Sequence, residues 1–292
     1  MEDMLKNIRI IPRLDIKGPN LVKGIHLEGL RVLGKPAFFA EQYYNNGADE
    51  LIYIDSVASL YGRDHLIEIL KSTAEKIFIP ITVGGGVKTI DNIRVLLRSG
   101  ADKVAINTAA IHNPNLIAEA AEVFGTQCIV ISIEAISIGD GKYECLTDNA
   151  RERSGKNVFE WSKQVAELGA GEILVTSVDN EGTGNGFDVE LIAKISQMVK
   201  IPVIASGGAG CNEHVLKAII DGKADAVCAA SIFHYHTLQH KKIKEKFDNE
   251  GNIEFLSKKR GELTFMNKRI MPTSIKKMKQ YLKNNNIPCR EV

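Results

Sequence analysis

Long apolar runs are missing from this sequence. It has no stretch of about eighteen apolar residues, the length that a membrane-spanning helix needs, so no membrane span is expected. Residues 1–18, MEDMLKNIRIIPRLDIKG, also lack the basic-then-apolar order of a secretory leader. These two absences predict a cytoplasmic protein with no membrane partner.

Cysteine is scarce and is not arranged in pairs. The chain has 5 cysteines, an odd number, and no Cys-x-x-Cys. This pattern argues against a disulfide framework and against a zinc site. No metal and no cofactor are therefore expected.

Net charge is close to zero, at +1 over 292 residues, but it is unevenly distributed. From Thr237 to Val292 there are 14 Lys and Arg against 6 Asp and Glu. A basic tail can bind nucleic acid. Here the lysines are scattered and few aromatic residues lie among them, which favours a solvated helical extension and no nucleic-acid partner.

Short apolar runs alternate with helix-length segments along most of the chain. This order, repeated eight times in about 240 residues, predicts a single (β/α)₈ TIM barrel of the α/β class. The predicted strands are residues 8–16, 50–55, 79–85, 103–108, 128–135, 172–178, 201–208 and 226–231.

The chain also repeats itself. "GADELIYID" from Gly47 returns as "GAGEILVTS" from Gly169, and "IPITVGGG" from Ile79 returns as "IPVIASGG" from Ile201. Both repeats have the same shift along the chain, so the barrel is predicted to consist of two duplicated half-barrels with a basic C-terminal extension. The predicted segments are a barrel at 1–236, an inserted basic segment at 237–273, and a C-terminal helix and tail at 274–292 that close the barrel.

Two acids end predicted strands one and five. On the repeat, "RLDIKG" falls opposite "SIEAIS", so Asp15 and Glu134 occupy matching strand ends across the barrel. Active sites of such barrels lie at the C-terminal ends of the strands, where two carboxylates suit general acid–base chemistry. We predict that both are catalytic. The alternative is that one of them merely pairs with Lys17 or Lys23.

Glycine-rich turns follow predicted strands three and seven, and each precedes a small-residue turn after the next strand. Glycines let backbone N–H groups approach an anion, and a following helix N-terminus adds a favourable field. Two copies at one spacing predict a ligand with a phosphate at each end, with Lys23 as a further positive charge. The candidate phosphate-binding residues are Gly85, Gly86, Asn107, Thr108, Gly207, Gly208, Ala230 and Ser231.

Four predicted strands begin with a charged residue, namely Arg9, Glu50, Lys103 and Glu172. Strand parity places Arg9 on the same inward face as Asp15. A ring of alternating charges would then close the bottom of the barrel. Because ionic rings stabilise poorly compared with apolar packing, the ring is predicted to be a polar gate, with a plain structural plug as the alternative.

Together these motifs closely resemble the cyclase subunit of imidazole glycerol phosphate synthase, the HisF family. The likeness covers about residues 7–236 and resumes at 282–290. It is carried by "IIPRLDIK", "LVKG", "GADELIYID", "IPITVGGG", "GADKVAINTAA", "GAGEILVTS", "IPVIASGGAG" and "AASIFH".

The resemblance implies a function. In this family a glutaminase subunit of the HisH type docks on the N-terminal face of the barrel and releases ammonia into it. The cyclase combines that ammonia with a bis-phosphorylated ribulosyl-formimino aminoimidazole carboxamide ribonucleotide. The products are imidazole glycerol phosphate, which leads to histidine, and an aminoimidazole carboxamide ribotide.

The resemblance also implies roles for particular residues. Asp15 would be a catalytic acid–base group, and the four charged residues at the strand starts would gate ammonia. Asp102 would face the glutaminase partner. Thr176, Asp179 and Gly182 would join the substrate site.

The sequence departs from the family's pattern at several places. Glu134 stands where the family has an aspartate, and Arg13 stands where it typically has a small cysteine. Arg13 is predicted to point inward, one layer below Asp15, where it could pair with that acid and crowd an ammonia path. Glu181 replaces the aspartate of a "DGT" turn, residues 149–155 replace a glycine-rich substrate loop, and about 35 extra residues follow Thr237.

Such departures also resemble family paralogues found with sugar-modifying enzymes of bacterial surface polysaccharides. Those paralogues are thought to relay ammonia for sugar amidation. Three hypotheses follow: imidazole glycerol phosphate synthesis, sugar amidation, and a barrel that only activates a glutaminase. Arg13 and Glu134 disfavour the first, whereas Asp15 and the two glycine-rich turns disfavour the last.

Overall fold

The structure is a computed structural model that describes residues 7–56, 64–241 and 267–291. The strands of these ranges form one sheet. In chain order they are β1 (Arg9–Lys17), β2 (Asn20–Ile25), β3 (Glu28–Gly34), β4 (Leu51–Asp55), β5 (Ile81–Gly84), β6 (Lys103–Ile106), β7 (Ile129–Ser137), β8 (Tyr143–Thr147), β9 (Glu152–Asn157), β10 (Glu172–Ser177), β11 (Val203–Ser206) and β12 (Ala226–Ala229).

Helices cover the outside of the sheet. In chain order the described helices are α1 (Pro36–Asn45), α2 (Asp64–Ala74), α3 (Ile90–Arg98), α4 (Thr108–His112), α5 (Asn115–Phe124), α6 (Val158–Glu167), α7 (Val189–Met198), α8 (Asn212–Ile220), α9 (Ser231–His240) and α10 (Ile275–Asn284).

Eight of the strands pair in parallel and close into a barrel. Their order around the barrel is β1, β4, β5, β6, β7, β10, β11 and β12, and β12 pairs back with β1. Each of the eight lies within or overlaps a strand predicted from the sequence. The (β/α)₈ barrel is therefore confirmed.

The inward face of the barrel is layered. On β1 alternate residues point inward, so Arg9 lies at the bottom, Ile11 above it, then Arg13 and Asp15 at the mouth. Ile11 belongs to a small apolar cluster that is separate from the large core between the sheet and the helices. The interior is thus apolar in its middle and charged at both ends. The cluster consists of Ile11, Ile52, Ile54, Ala105, Val130, Leu174, Ile204, Ala226 and Cys228.

The two halves of the barrel carry the same additions. The antiparallel strands β2 and β3 follow β1, and the antiparallel strands β8 and β9 follow β7. Asp15 pairs with Val22 of β2, and Glu134 pairs with Leu146 of β8. Neither hairpin was predicted from the sequence, because their short alternating patterns are interrupted by glycine and charged residues.

Strand register shows which positions of the two halves match. Arg13 of β1 lies beside Ile52 of β4, and Ser132 of β7 lies beside Leu174 of β10. Since Ile52 and Leu174 are related by the repeat, Ser132 is the counterpart of Arg13. By the same pairing Glu134 is the counterpart of Asp15.

The C-terminal segment packs at the bottom of the barrel. The Ile8 backbone N–H donates to Pro288 O at 2.9 Å, and Lys279 and Arg290 both pair with Asp49. Much of the predicted insert, residues 242–266, lies outside the described residues, so the bounds of the three predicted segments stay a prediction. No helix of the described ranges is long and apolar enough to cross a membrane.

Candidate active site

Asp15 is held at the mouth by a buried ion pair. Arg13 Nε donates to Asp15 Oδ1 at 2.8 Å, and Arg13 Nη1 donates to Thr176 Oγ1 at 3.2 Å. Both charged side chains are almost completely buried. Burial acts to lower the pKa of Arg13, but the charges of Asp15 and Glu181 outweigh it and raise that pKa. Arg13 is thus a permanent cation inside the barrel.

Glu134 lies across the mouth in a different environment. Its Oε2 accepts hydrogen bonds from Asn107 Nδ2 at 3.1 Å and from the Ala150 backbone N–H at 2.7 Å. No cation is bonded to it in the described part of the chain. Asn107 also donates to Leu146 O at 3.2 Å, which fixes the amide against the β8 hairpin.

The electrostatics of Glu134 suit proton exchange. Burial is the largest cause that raises its pKa, to about 7, and the negative charges of Asp15 and Asp148 add to the effect. The Arg13 charge and the Ala150 N–H act in the opposite direction. A carboxyl group with a pKa near 7 can give and take a proton at neutral pH.

The first glycine-rich turn borders an open cavity. This cavity has a volume of about 510 Å³ and is lined by Gly85, Gly86, Asn107 and Thr108 as well as by Ser132 and Glu134. It therefore joins the predicted phosphate turn to one of the two predicted catalytic acids. The turn must be glycine at position 85, because a Cβ there would lie 2.4 Å from Asp55 O.

The second glycine-rich turn borders a much smaller space. Gly207, Gly208, Ala230 and Ser231 line a cavity of about 20 Å³, which has room for about one water molecule. Arg13 and Glu181 line the same cavity.

The two helix starts that lie beside the glycine-rich turns share one backbone geometry. Asn107, before α4, has φ −122° and ψ −92°, and its counterpart Ala230, before α9, has φ −117° and ψ −76°. Both bring the backbone N–H groups of a helix start to the mouth. At the second turn the backbone of another loop also takes up space, since the Gly186 N–H donates to Gly208 O at 2.8 Å.

Lys23 forms a second buried ion pair, with Glu181. Burial acts to lower the pKa of Lys23, but the Glu181 carboxylate outweighs it and raises that pKa. Glu181 also ties its loop to the β2–β3 hairpin, since the His26 backbone N–H donates to Glu181 O at 2.9 Å. Lys23 is thus charged, close to the second turn, and already paired.

The remaining predicted substrate residues are spread around the rim. Thr176 is fully buried beneath the mouth, where it accepts the Arg13 hydrogen bond. Asp179 is exposed and accepts from the Ser137 backbone N–H at 2.8 Å. Gly182 lines the small cavity, and Thr108 Oγ1 accepts from the Asp148 N–H at 3.0 Å.

The four charged strand-start residues form one ring at the bottom of the barrel. Arg9 Nη1 lies 2.5 Å from Glu50 Oε1 and 2.7 Å from Glu172 Oε1. Lys103 Nζ lies 3.1 Å from Glu50 Oε2 and 3.0 Å from Glu172 Oε2. Each acid therefore contacts both cations, and the interior apolar layer lies directly above.

Asp102 is exposed at the same N-terminal face. Its Oδ2 accepts from the Ile81 backbone N–H at 2.8 Å. Asp225 makes the equivalent bond to the Val203 N–H at 3.0 Å in the second half-barrel. Asp102 thus has a structural task of its own, which the sequence analysis did not foresee.

Two contacts of Glu134, made by Asn107 and Ala150, were not predicted from the sequence. Asn107 was predicted as a phosphate residue, yet its amide bonds to Glu134, and Ala150 N–H bonds to the same carboxylate. Residues 148–150 have φ values of 52° to 62°. The Asp148-Asn149 pair is a sequence signal for such left-handed backbone, and could have indicated a tight turn above Glu134.

The fold and the site define a (β/α)₈-barrel enzyme with two carboxyl groups, Asp15 and Glu134, at its C-terminal mouth. Within the described ranges no group of three or more His, Cys, Asp or Glu side chains is arranged to hold a metal ion. A family model described as "Histidine biosynthesis protein" matches residues 9–239.

Two relatives narrow the class to one family. The "Imidazole glycerol phosphate synthase subunit HisF" of Legionella pneumophila is 61% identical over 206 residues, which is 70% of this chain and 97% of that protein. The protein of the same name from Methanocaldococcus jannaschii is 47% identical over 262 residues, which is 83% of this chain and 96% of that protein. The chain belongs to the HisF family, and the resemblance found in the sequence is confirmed.

Proposed function

We propose that this chain is the cyclase subunit of imidazole glycerol phosphate synthase and uses ammonia from a glutaminase subunit in histidine biosynthesis. Its substrate is the bis-phosphorylated ribulosyl-formimino aminoimidazole carboxamide ribonucleotide. The observation that carries the proposal is the placement of Asp15 and Glu134 on opposite strands of the mouth, each beside one of two helix starts with the same backbone geometry. The names of the two relatives support it.

The two turns would hold the two phosphates of the substrate. One phosphate binds near Gly86 and Asn107 and the other near Gly208 and Ser231, which stretches the substrate across the mouth over both acids. Backbone N–H groups and helix N-termini bind phosphate without a dedicated cation. The substrate-binding roles of Lys23, Thr176, Asp179 and Gly182 are part of this proposal.

The two acids would share the proton transfers. Adding ammonia and closing an imidazole ring require protons to be removed from nitrogen and given to departing oxygen. Glu134, whose pKa is about 7, can do either at neutral pH. Arg13 bonds to Asp15 Oδ1, so Oδ2 of Asp15 is the oxygen that would exchange a proton.

Ammonia would enter from the opposite end of the barrel. The glutaminase partner docks on the N-terminal face, where Asp102 is exposed and the charged ring closes the barrel. The ring can open by rotation of Lys103, because Arg9 keeps both acids paired while Lys103 moves. The ring is therefore proposed as the ammonia gate.

One assay tests the reaction. Purified protein is mixed with the ribonucleotide and saturating ammonium, and formation of imidazole glycerol phosphate is followed. The wild type is expected to turn over the ribonucleotide, and Glu134→Gln is expected to lose this turnover. A folded wild-type protein with no turnover at any ammonium concentration would overturn the proposal.

A second function is favoured by Arg13 alone. Its guanidinium lies inside the barrel between the apolar layer and Asp15, on the path that ammonia would follow. A barrel that relays ammonia for amidation of a surface-polysaccharide sugar would need a different mouth. The same assay separates the two, because this alternative requires no turnover of the ribonucleotide.

A further inference from the structure

The two glycine-rich turns, which are proposed to bind the phosphates, differ in the free volume beside them. The first borders a cavity of about 510 Å³, whereas the second borders about 20 Å³. A space for about one water molecule is too small for a phosphate group. Something at the second turn therefore has to move before a phosphate can bind there.

The Glu181 side chain is the one carboxylate among the described residues that line the small cavity at the second turn. It is 4% exposed and lines the small cavity together with Gly207, Gly208 and Ser231. A Cβ built on Gly207 would lie 3.5 Å from Glu181 Oε2, so the carboxylate lies against the glycines of the turn. A carboxylate is itself an anion, and it stands where the ligand's anion is expected.

The charges around the turn are balanced only while Glu181 stays in place. Arg13 pairs with Asp15, and Lys23 pairs with Glu181. A phosphate added to these buried groups would meet two carboxylates within a low-dielectric site, and uncompensated buried charge is costly. If Glu181 leaves, Lys23 is released and can pair with the phosphate instead.

We propose that the Glu181 carboxylate competes with a ligand's second phosphate for the second glycine-rich turn. It thereby decides how strongly that phosphate binds there. This inference rests on the proposed function, since it takes the second turn as a phosphate site. The cavity at the first turn is also lined by acids, Asp55, Glu134 and Asp148, but its volume of about 510 Å³ leaves room for a phosphate, so the first turn binds its phosphate first. The Lys23 ammonium then passes from Glu181 to the ligand.

Inorganic phosphate tests the inference without the substrate. Isotope-labelled protein is titrated with phosphate, and the backbone amide signals of Gly86 and Gly208 report the two turns separately by NMR. In the wild type, Gly86 should saturate at lower phosphate concentration than Gly208. Glu181→Gln should tighten binding at Gly208 by about tenfold or more, because it removes a charge a few ångström from the ligand, and should leave Gly86 within about twofold of the wild type.

Two further variants serve as controls. Glu28→Gln removes one negative charge from the exposed end of the same hairpin and should change neither turn. Glu181→Asp keeps the charge but withdraws the carboxylate by one methylene, and should give an intermediate affinity at Gly208.

The outcomes separate the inference from the proposed function. If Gly86 responds to phosphate but Gly208 has the same affinity in wild type and Glu181→Gln, the inference is wrong and the first phosphate site stands. If neither amide responds in any variant, the phosphate sites of the proposed function fail and the inference fails with them.

Discussion

Arg13 and Ser132 hold matching positions in the two half-barrels, yet they make two different half-sites. Beside Ser132 the mouth opens into the cavity of about 510 Å³ that reaches Glu134. Beside Arg13 the mouth is filled, because the guanidinium binds Asp15 and its neighbour Glu181 binds Lys23. Two turns at matching places of the duplicated barrel thus differ, because one is open and the other is filled.

The same comparison separates the two acids. Asp15 is paired with a buried cation, whereas Glu134 is bonded to uncharged N–H groups and has its pKa raised to about 7. Two carboxyl groups at equivalent strand ends therefore lie in different electrostatic environments. The filled half pairs its acid with a cation, and the open half gives its acid a pKa near neutrality.

The largest effect is expected on activity. Glu134→Gln keeps the size and the hydrogen bonds of Glu134 but cannot exchange a proton. We expect a loss of about 10² to 10⁴ in turnover, with phosphate binding at Gly86 within a few-fold of the wild type. Steady-state rates with the ribonucleotide and ammonium measure it, and wild-type activity in this variant would remove Glu134 from the proton transfers.

Removing the charge of Asp15 and removing the charge of Glu134 should change the stability of the protein in opposite directions. Asp15→Asn leaves Arg13 buried without its anion and should destabilise the protein by about 3 kcal/mol or more. The pKa of Glu134 is raised on folding, from 4.5 to about 7, so its contribution to stability is present below pH 4.5 and is lost as the pH rises through 7. Glu134→Gln should therefore stabilise the protein at alkaline pH by on the order of 3 kcal/mol.

Denaturant unfolding of both variants at pH 4.5 and at pH 8.5 measures these changes. The Glu134→Gln gain should be close to zero at the lower pH. Equal destabilisation by both variants at alkaline pH would show that the two halves treat their acids alike.

A smaller effect is expected from the backbone of the filled half. Gly208 has φ +105°, and a Cβ there would lie 1.9 Å from Gly186 O. Gly139 has a similar φ of +87° with nothing within 4 Å. Gly208→Ala should therefore destabilise the protein by about 1 to 3 kcal/mol more than Gly139→Ala, which carries the backbone strain without the clash. Thermal or denaturant unfolding compares the two, and equal losses would contradict the close approach.

The smallest effect concerns the strand that leads to the open half. β6 begins at Lys103 in the ring and ends just before Asn107 in the open cavity. If Lys103 gates ammonia, Lys103→Ala should reduce glutamine-dependent turnover about fivefold more than turnover with added ammonium. Assays with the glutaminase subunit measure the ratio, with Lys163→Ala on the exposed face of α6 as the control. Equal losses with both nitrogen sources would indicate a structural plug.

Much of the fold follows from local patterns. Buried strands such as Ile129–Ser137 consist mostly of apolar and small residues, and the repeat from Gly47 to Gly169 identifies two half-barrels. Period-two parity then orders the inward residues of a strand, so Arg9, Arg13 and Asp15 could be placed on one face from the sequence. The hairpins β2–β3 and β8–β9 could not be predicted in this way, because their pairing depends on the ends of β1 and β7, which they extend.

The sequence by itself determined the barrel, its two acids, its two turns and the alternating charges of its ring. Only the tertiary structure decided that the two turns differ, since that depends on which groups meet in space. Arg13 meets Asp15 by proximity on one strand, but Lys23 and Glu181 are 158 residues apart and pair only because the hairpin folds over the loop after β10. Buried charges take the partners that remove their desolvation cost, and those partners are fixed by packing across the barrel rather than by order along the chain.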